Sequence, residues 1–133
     1  MTTIFTRIIE GQIPGTFVHR DSLCVAFLSI NPLAAGHVLV VPIEEVDHWI
    51  DMSPELSAHM FAVSHRISRV ISDVFPCTRV GLIIAGYEIN HCHIHLIPTN
   101  TMEQLNFSNA AASIDRDTLE SHAELLTQSL ARI

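Results

Sequence analysis

The segment His91-Cys92-His93-Ile94-His95-Leu96-Ile97-Pro98 alternates imidazoles with apolar side chains, the two-residue period of a β-strand. An extended backbone puts His91, His93 and His95 on one face and turns Cys92, Ile94 and Leu96 into the core. A helix would instead scatter the three rings over about two thirds of its circumference. Two chemistries suit such a row. One is a metal site, although a rise of about 3.3 Å per residue starts the outer rings about 13 Å apart, far for one zinc with bonds of about 2.1 Å. A His-x-His pair completed by His37 or another distant side chain keeps that option open. The other is nucleophilic: a neutral imidazole has one free ring nitrogen, which attacks phosphorus when an acceptor holds the other nitrogen's proton. Neighbouring donors then serve the leaving group and the phosphate oxygens.

The pattern on either side is that of a sheet with a few helices. His37-Val38-Leu39-Val40-Val41-Pro42 reads as a central strand. Thr16-Phe17-Val18-His19 and Leu23 to Leu28 read as a hairpin closed at Arg20-Asp21-Ser22, and Thr78 to Ala85 as a further strand. A short helix is expected from Thr3 to Glu10. Ser53-Pro54-Glu55 opens the strongest helix, with an N-cap serine, proline at the first helical position and an acid in the first turn. Behind it Leu56, Met60, Val63, Ile67, Val70 and Val74 form one apolar stripe, and Phe61 and Ile71 beside it point to a second packing partner. After an aperiodic stretch, Leu119, Ala123, Leu126 and Leu130 mark a last helix. The expectation is a single α+β domain over 1–133, with an antiparallel sheet of about five strands, a long helix and an extra C-terminal helix.

Composition narrows the function. The 133 residues carry seven basic against fourteen acidic side chains, a net charge of −7. The basic residues are all arginines, scattered along the chain, so no basic face for nucleic acid is expected. The absence of lysine excludes a P-loop, Schiff-base catalysis and pyridoxal phosphate chemistry. Three cysteines without a Cys-x-x-Cys pair read as reduced thiols. Neither a leader at Met1–Phe5 nor an apolar run of roughly 18 residues is evident, so a cytoplasmic protein without a membrane partner is expected. Nine histidines make imidazole the leading chemical group.

The run His91-x-His93-x-His95, followed by two apolar residues, resembles the signature of the histidine triad (HIT) family of nucleotide hydrolases and transferases. Ile4-Phe5-x-Arg7-Ile8-Ile9-x-Gly11-x-Ile13-Pro14 is similar to the family's opening segment. Val25-Ala26-Phe27-Leu28 with Pro32-x-x-x-Gly36-His37-x-Leu39-Val40-Val41-Pro42 is similar to its middle segment, and Ala85-Gly86-x-Glu88-Ile89-x-His91 to the approach to the triad. The likeness spans the 1–98 core and leaves 99–133 as a C-terminal extension. It implies the HIT fold, a homodimer, no cofactor, and attack by His93 on the α-phosphate of a purine nucleoside phosphoramidate or dinucleoside polyphosphate. A covalent nucleotidyl-histidine would then release a nucleoside monophosphate such as AMP. His95 and His91 would orient the phosphate and tune the nucleophile, and His37 would complete the cluster. Ile4, Phe5, Ile8, Phe27, Ile30 and Leu39 would wall the nucleoside, with Gly86 and Glu88 near the phosphate. The alternative is a purine-nucleotide-binding or regulatory protein of the same fold with no turnover.

The chain departs from the family in three places. Ser29 stands where many members hold the ribose with Asp or Asn, and it offers a single hydroxyl. Bacterial members often bind a structural zinc through an opening Cys-x-x-Cys and a later histidine; here those positions are Thr3, Thr6 and Glu45, so no structural zinc is expected. The loop before Ala85-Gly86 is shortened by Leu82-Ile83-Ile84. Of the other histidines, His19, His59, His65 and His122 are expected on the surface, and His48 beside Trp49 in a pocket or interface. Cys92 reads as core filler.

Overall fold

The computed structural model describes residues 2–133. β1 (Phe17–Arg20) and β2 (Cys24–Leu28) form the expected hairpin. Its turn closes because one oxygen of the Asp21 carboxylate accepts the Leu23 and Cys24 N–H groups, each at 2.8 Å. With β3 (Val38–Pro42), β4 (Arg79–Ile83) and β5 (Ile94–Thr99) they make one antiparallel sheet in the order β1-β2-β3-β5-β4. β3 is central, as its unbroken apolar run requires.

Three helices cover the sheet: α1 (Ile4–Ile9), α2 (Pro54–Val74) and α3 (Arg116–Leu130). Each starts at a side-chain cap, with Thr3, Ser53 and Asp115 accepting the N–H of the residue three positions on. The stripes of α2 and α3 meet each other and one sheet face, burying Met60, Ile67 and Leu126 completely beside Cys24, Val38 and Leu96. Burying a side chain of this size stabilises by roughly 1.5–3 kcal/mol, so α3 is part of the core. Ile71 belongs to this core as well, whereas Phe61 is 61% exposed and lies outside it. The opposite face carries a smaller cluster of Val25, Phe27, Leu39 and Val41 under Phe5 of α1.

β5 begins at Ile94, three residues later than expected. The register that pairs Val40 with Ile94 brings Pro42 opposite Cys92, and proline has no N–H for the ladder. The Cys92 N–H instead bonds the Val46 carbonyl at 2.7 Å. The alternation survives this shortening. Cys92, Ile94 and Leu96 enter the helix-side core, and His91 and His93 lie on the other face against Phe5.

Between β5 and α3 the chain makes two single 3-10 turns, Met102–Leu105 and Phe107–Asn109. It then straps onto the loop after β2. Asn31 donates its side-chain amide to the Ala111 and Ala112 carbonyls, and the Ala111 N–H bonds Pro32. No helix among the described residues is long and apolar enough to cross a membrane.

Candidate active site

His37 and His95 form an ordered pair. The Leu33 N–H donates to His37 Nδ1 at 3.0 Å, so the neutral ring carries its proton on Nε2. That proton is donated to His95 Nδ1, also at 3.0 Å. His95 in turn keeps its own proton on Nε2, a buried atom with no partner among the described residues. Burial, reinforced by neighbouring imidazoles, pushes His37 down to about 4 and His95 down to about 3, so both rings are neutral at neutral pH.

His93 has the opposite arrangement. Its Nδ1 donates to the His91 carbonyl at 2.9 Å, which leaves the lone pair on Nε2. The ring is wedged edge-on between Phe5 and His95, with centroids 4.9 and 4.8 Å away. His91 is spent on structure. Its Nε2 donates to the Pro42 carbonyl at 2.7 Å, and its Nδ1 accepts the Thr3 hydroxyl at 2.6 Å. Burial lowers its pKa, so it too is neutral.

His37, His93 and His95 open onto a cavity of ≈ 570 Å³. Ile4, Phe5 and Ile8 of α1 form one wall; Phe27, Ser29, Ile30 and Leu39 form another, with Glu88 at the side. Two expected residues are elsewhere. His91 lies behind His93 and touches the site through its carbonyl, because both its ring nitrogens are engaged. Gly86 lines a separate cavity of ≈ 290 Å³ with His48, Trp49 and Tyr87, where the shortened loop turns away at a φ of +90°. The wall that sequence reasoning missed comes from the C-terminal extension. Phe107 packs edge-on against His95 at 4.8 Å, and Asn31, Ile114 and Arg116 also face the space. A lone aromatic in the polar stretch Asn106–Asn109 was the available signal. Ser29 accepts the Asn31 N–H at 3.2 Å.

Glu88, His93 and His95 offer ligand atoms within 4.8 Å of one another, so a metal could be held there by two Nε2 atoms and an exposed carboxylate. The position of the family's structural zinc does not fit that ion. Threonine hydroxyls stay protonated at neutral pH and lie outside zinc's usual ligands. Thr3 is already bonded to Thr6, Glu45 and His91, whose ring is fully used.

Three histidines expected on the surface are held in place instead. His19 and His59 both bond Asp21, and His122 packs edge-on against Phe75. His65 is exposed. Cys92 is buried, with its thiol pushed up to about 11, an inert core group.

A family model described as the HIT domain matches residues 10–102. An uncharacterized HIT-like protein of Borreliella burgdorferi is 34% identical over 102 residues, covering 71% of this chain and 73% of its own. The adenosine 5'-monophosphoramidase of Schizosaccharomyces pombe is 30% identical over 99 residues, covering 74% of each chain. Among solved structures, a zinc-bound histidine triad family protein from Mycobacterium smegmatis superposes with a TM-score of 0.82 at 27% identity, covering 99% of this chain and 95% of that one.

Proposed function

Because the chain belongs to the HIT family, we propose that it is a nucleotide hydrolase acting at the α-phosphate of purine nucleoside phosphoramidates or dinucleoside polyphosphates. One observation carries the reading. The Nδ1 proton of His93 is pinned on the His91 carbonyl, which leaves Nε2 unprotonated toward a cavity of nucleoside size.

The base and sugar occupy the apolar slot between α1 and β2–β3. His93 Nε2 attacks phosphorus, and a P–N bond forms as the bond to the leaving group breaks. The His91 carbonyl stabilises the positive charge that develops on the ring. The unpartnered Nε2–H of His95 donates to a phosphoryl oxygen or to the departing atom. Water then cleaves the P–N bond, releasing the nucleoside monophosphate and restoring neutral His93. The activity named for the fission-yeast relative agrees with this chemistry. Three unpaired cysteines accord with a cytoplasmic protein, and Phe61, Ile50 and Tyr87, each at least 60% exposed, accord with a homodimer.

The test is AMP release from adenosine 5'-phosphoramidate and from a diadenosine polyphosphate. His93→Ala should lower kcat on the order of 10³-fold or more while nucleotide still binds. Equal, negligible release by both proteins with binding retained would instead identify a non-catalytic nucleotide-binding protein. Activity abolished by a chelator and restored by zinc would identify a metal hydrolase.

A further inference from the structure

On the far side of the hairpin from the cavity, three side chains with metal-ligating atoms converge on one carboxylate. Asp21, in the β1–β2 turn, has His19 Nε2 at 2.6 Å and His59 Nε2 at 2.7 Å, both on the same oxygen, Oδ2. Cys24 Sγ lies 3.7 Å from that oxygen. The other oxygen is committed to the Leu23 and Cys24 N–H groups. The ligand atoms of His19, Asp21 and Cys24 all lie within 4.8 Å of one another. A carboxylate only accepts hydrogen bonds, so two N–H groups from different elements are crowded onto a single oxygen. None of the four residues borders the catalytic cavity.

We propose that His19, Asp21, Cys24 and His59 form a binding site for one divalent transition metal of zinc's class. Two imidazoles, one carboxylate and one thiolate lie within zinc's usual repertoire of four ligands. The backbone bonds to the second Asp21 oxygen are the outer-shell support that fixes a monodentate carboxylate. Tetrahedral zinc with bonds of about 2.1 Å separates its nitrogen and oxygen ligands by about 3.4 Å, so the imidazoles must withdraw from Asp21 by about 0.7–0.8 Å. The sulfur already stands near the required separation from the carboxylate, about 3.6 Å. On binding, Cys24 gives its thiol proton to solvent, and the proton on each imidazole moves from Nε2 to Nδ1, which frees Nε2 for the ion. The bound ion would join β1, β2 and the second turn of α2 in one cross-link. No disulfide serves that purpose among the described residues.

The experiment is titration of chelator-stripped full-length protein with Co²⁺ and Zn²⁺. One equivalent of Co²⁺ should produce tetrahedral d–d bands together with a sulfur-to-cobalt charge-transfer band, and Zn²⁺ should raise Tm. His59 is about one third exposed on α2, so His59→Ala should leave the metal-free fold intact by circular dichroism. It should weaken Co²⁺ binding at least about tenfold, the loss that even outer-shell partners cause. Cys24→Ser should abolish the charge-transfer band and keep the d–d bands, and His95→Ala should leave the spectrum unchanged. Three results would overturn the proposal: no saturable uptake, a spectrum without a sulfur band, or uptake that survives His59→Ala and disappears in His95→Ala.

Discussion

Replacing His37 by alanine should impair the chemical step without emptying the nucleotide slot. The Nε2–H of His37 is the partner of His95 Nδ1, at 3.0 Å in a buried pair. Without it His95 is free to move its proton to Nδ1, and the Nε2 facing the substrate becomes an acceptor that repels phosphate oxygens. Removing one partner of a buried hydrogen bond costs about 1–3 kcal/mol. At 1.36 kcal/mol per decade this is a roughly 5- to 150-fold fall in kcat. His37→Gln should restore most of the loss, since an amide can accept the Leu33 N–H and donate to His95 at once. The assay is steady-state AMP release across pH, with circular dichroism confirming that each variant is folded. Full activity in His37→Ala, or a glutamine variant no better than alanine, would refute the relay.

Three further outcomes follow from the geometry. His37 and His95 have pKa values depressed from 6.5 to about 4 and about 3, mainly by burial. Their contribution to stability is therefore complete above pH 6.5 and is lost as pH falls toward 4 and then 3. Urea midpoints should decline through that window, and a flat profile would contradict the buried neutral pair. Gly36 has a φ of +91°, and an added Cβ would stand 2.5 Å from Phe75 Cδ2, so Gly36→Ala should destabilise by about 1–3 kcal/mol. An unchanged Tm would show that Phe75 yields freely. Phe107→Ala should raise KM several-fold with kcat nearly constant, because it removes a wall of the cavity and spares the relay; a fall in kcat alone would place Phe107 in the chemistry.

Local pattern carried much of the architecture. The caps and stripes of α2 and α3, the hairpin and the alternating triad all rest on side chains a few residues apart, and each was legible. The start of β5 was not, because it depends on Pro42 falling opposite Cys92 across the sheet. Most of the residues named from the family likeness are on the wall of one cavity. His91 and Gly86 are not, since ring orientation and loop direction are set by Thr3, Pro42 and the chain before Glu88. Phe107 and Asn31 were hidden because the strap that joins them links positions 80 residues apart. His59 read as a surface group for the same reason, since its bond to Asp21 bridges a separation of 38 residues, whereas His19 stands only two residues from that carboxylate.

The orientation of both relay rings originates in a main-chain amide, the N–H of Leu33. The identity of the side chain at that position is therefore immaterial to the polarity of the wire, and any residue but proline preserves it. A proline there would leave His37 Nδ1 without its donor, and the two imidazoles could reverse in concert, exchanging a hydrogen-bearing nitrogen for a lone pair at the substrate end. The electrostatic sign of this site is thus set by a main-chain amide of the loop that ends at His37, four residues before the ring it orients.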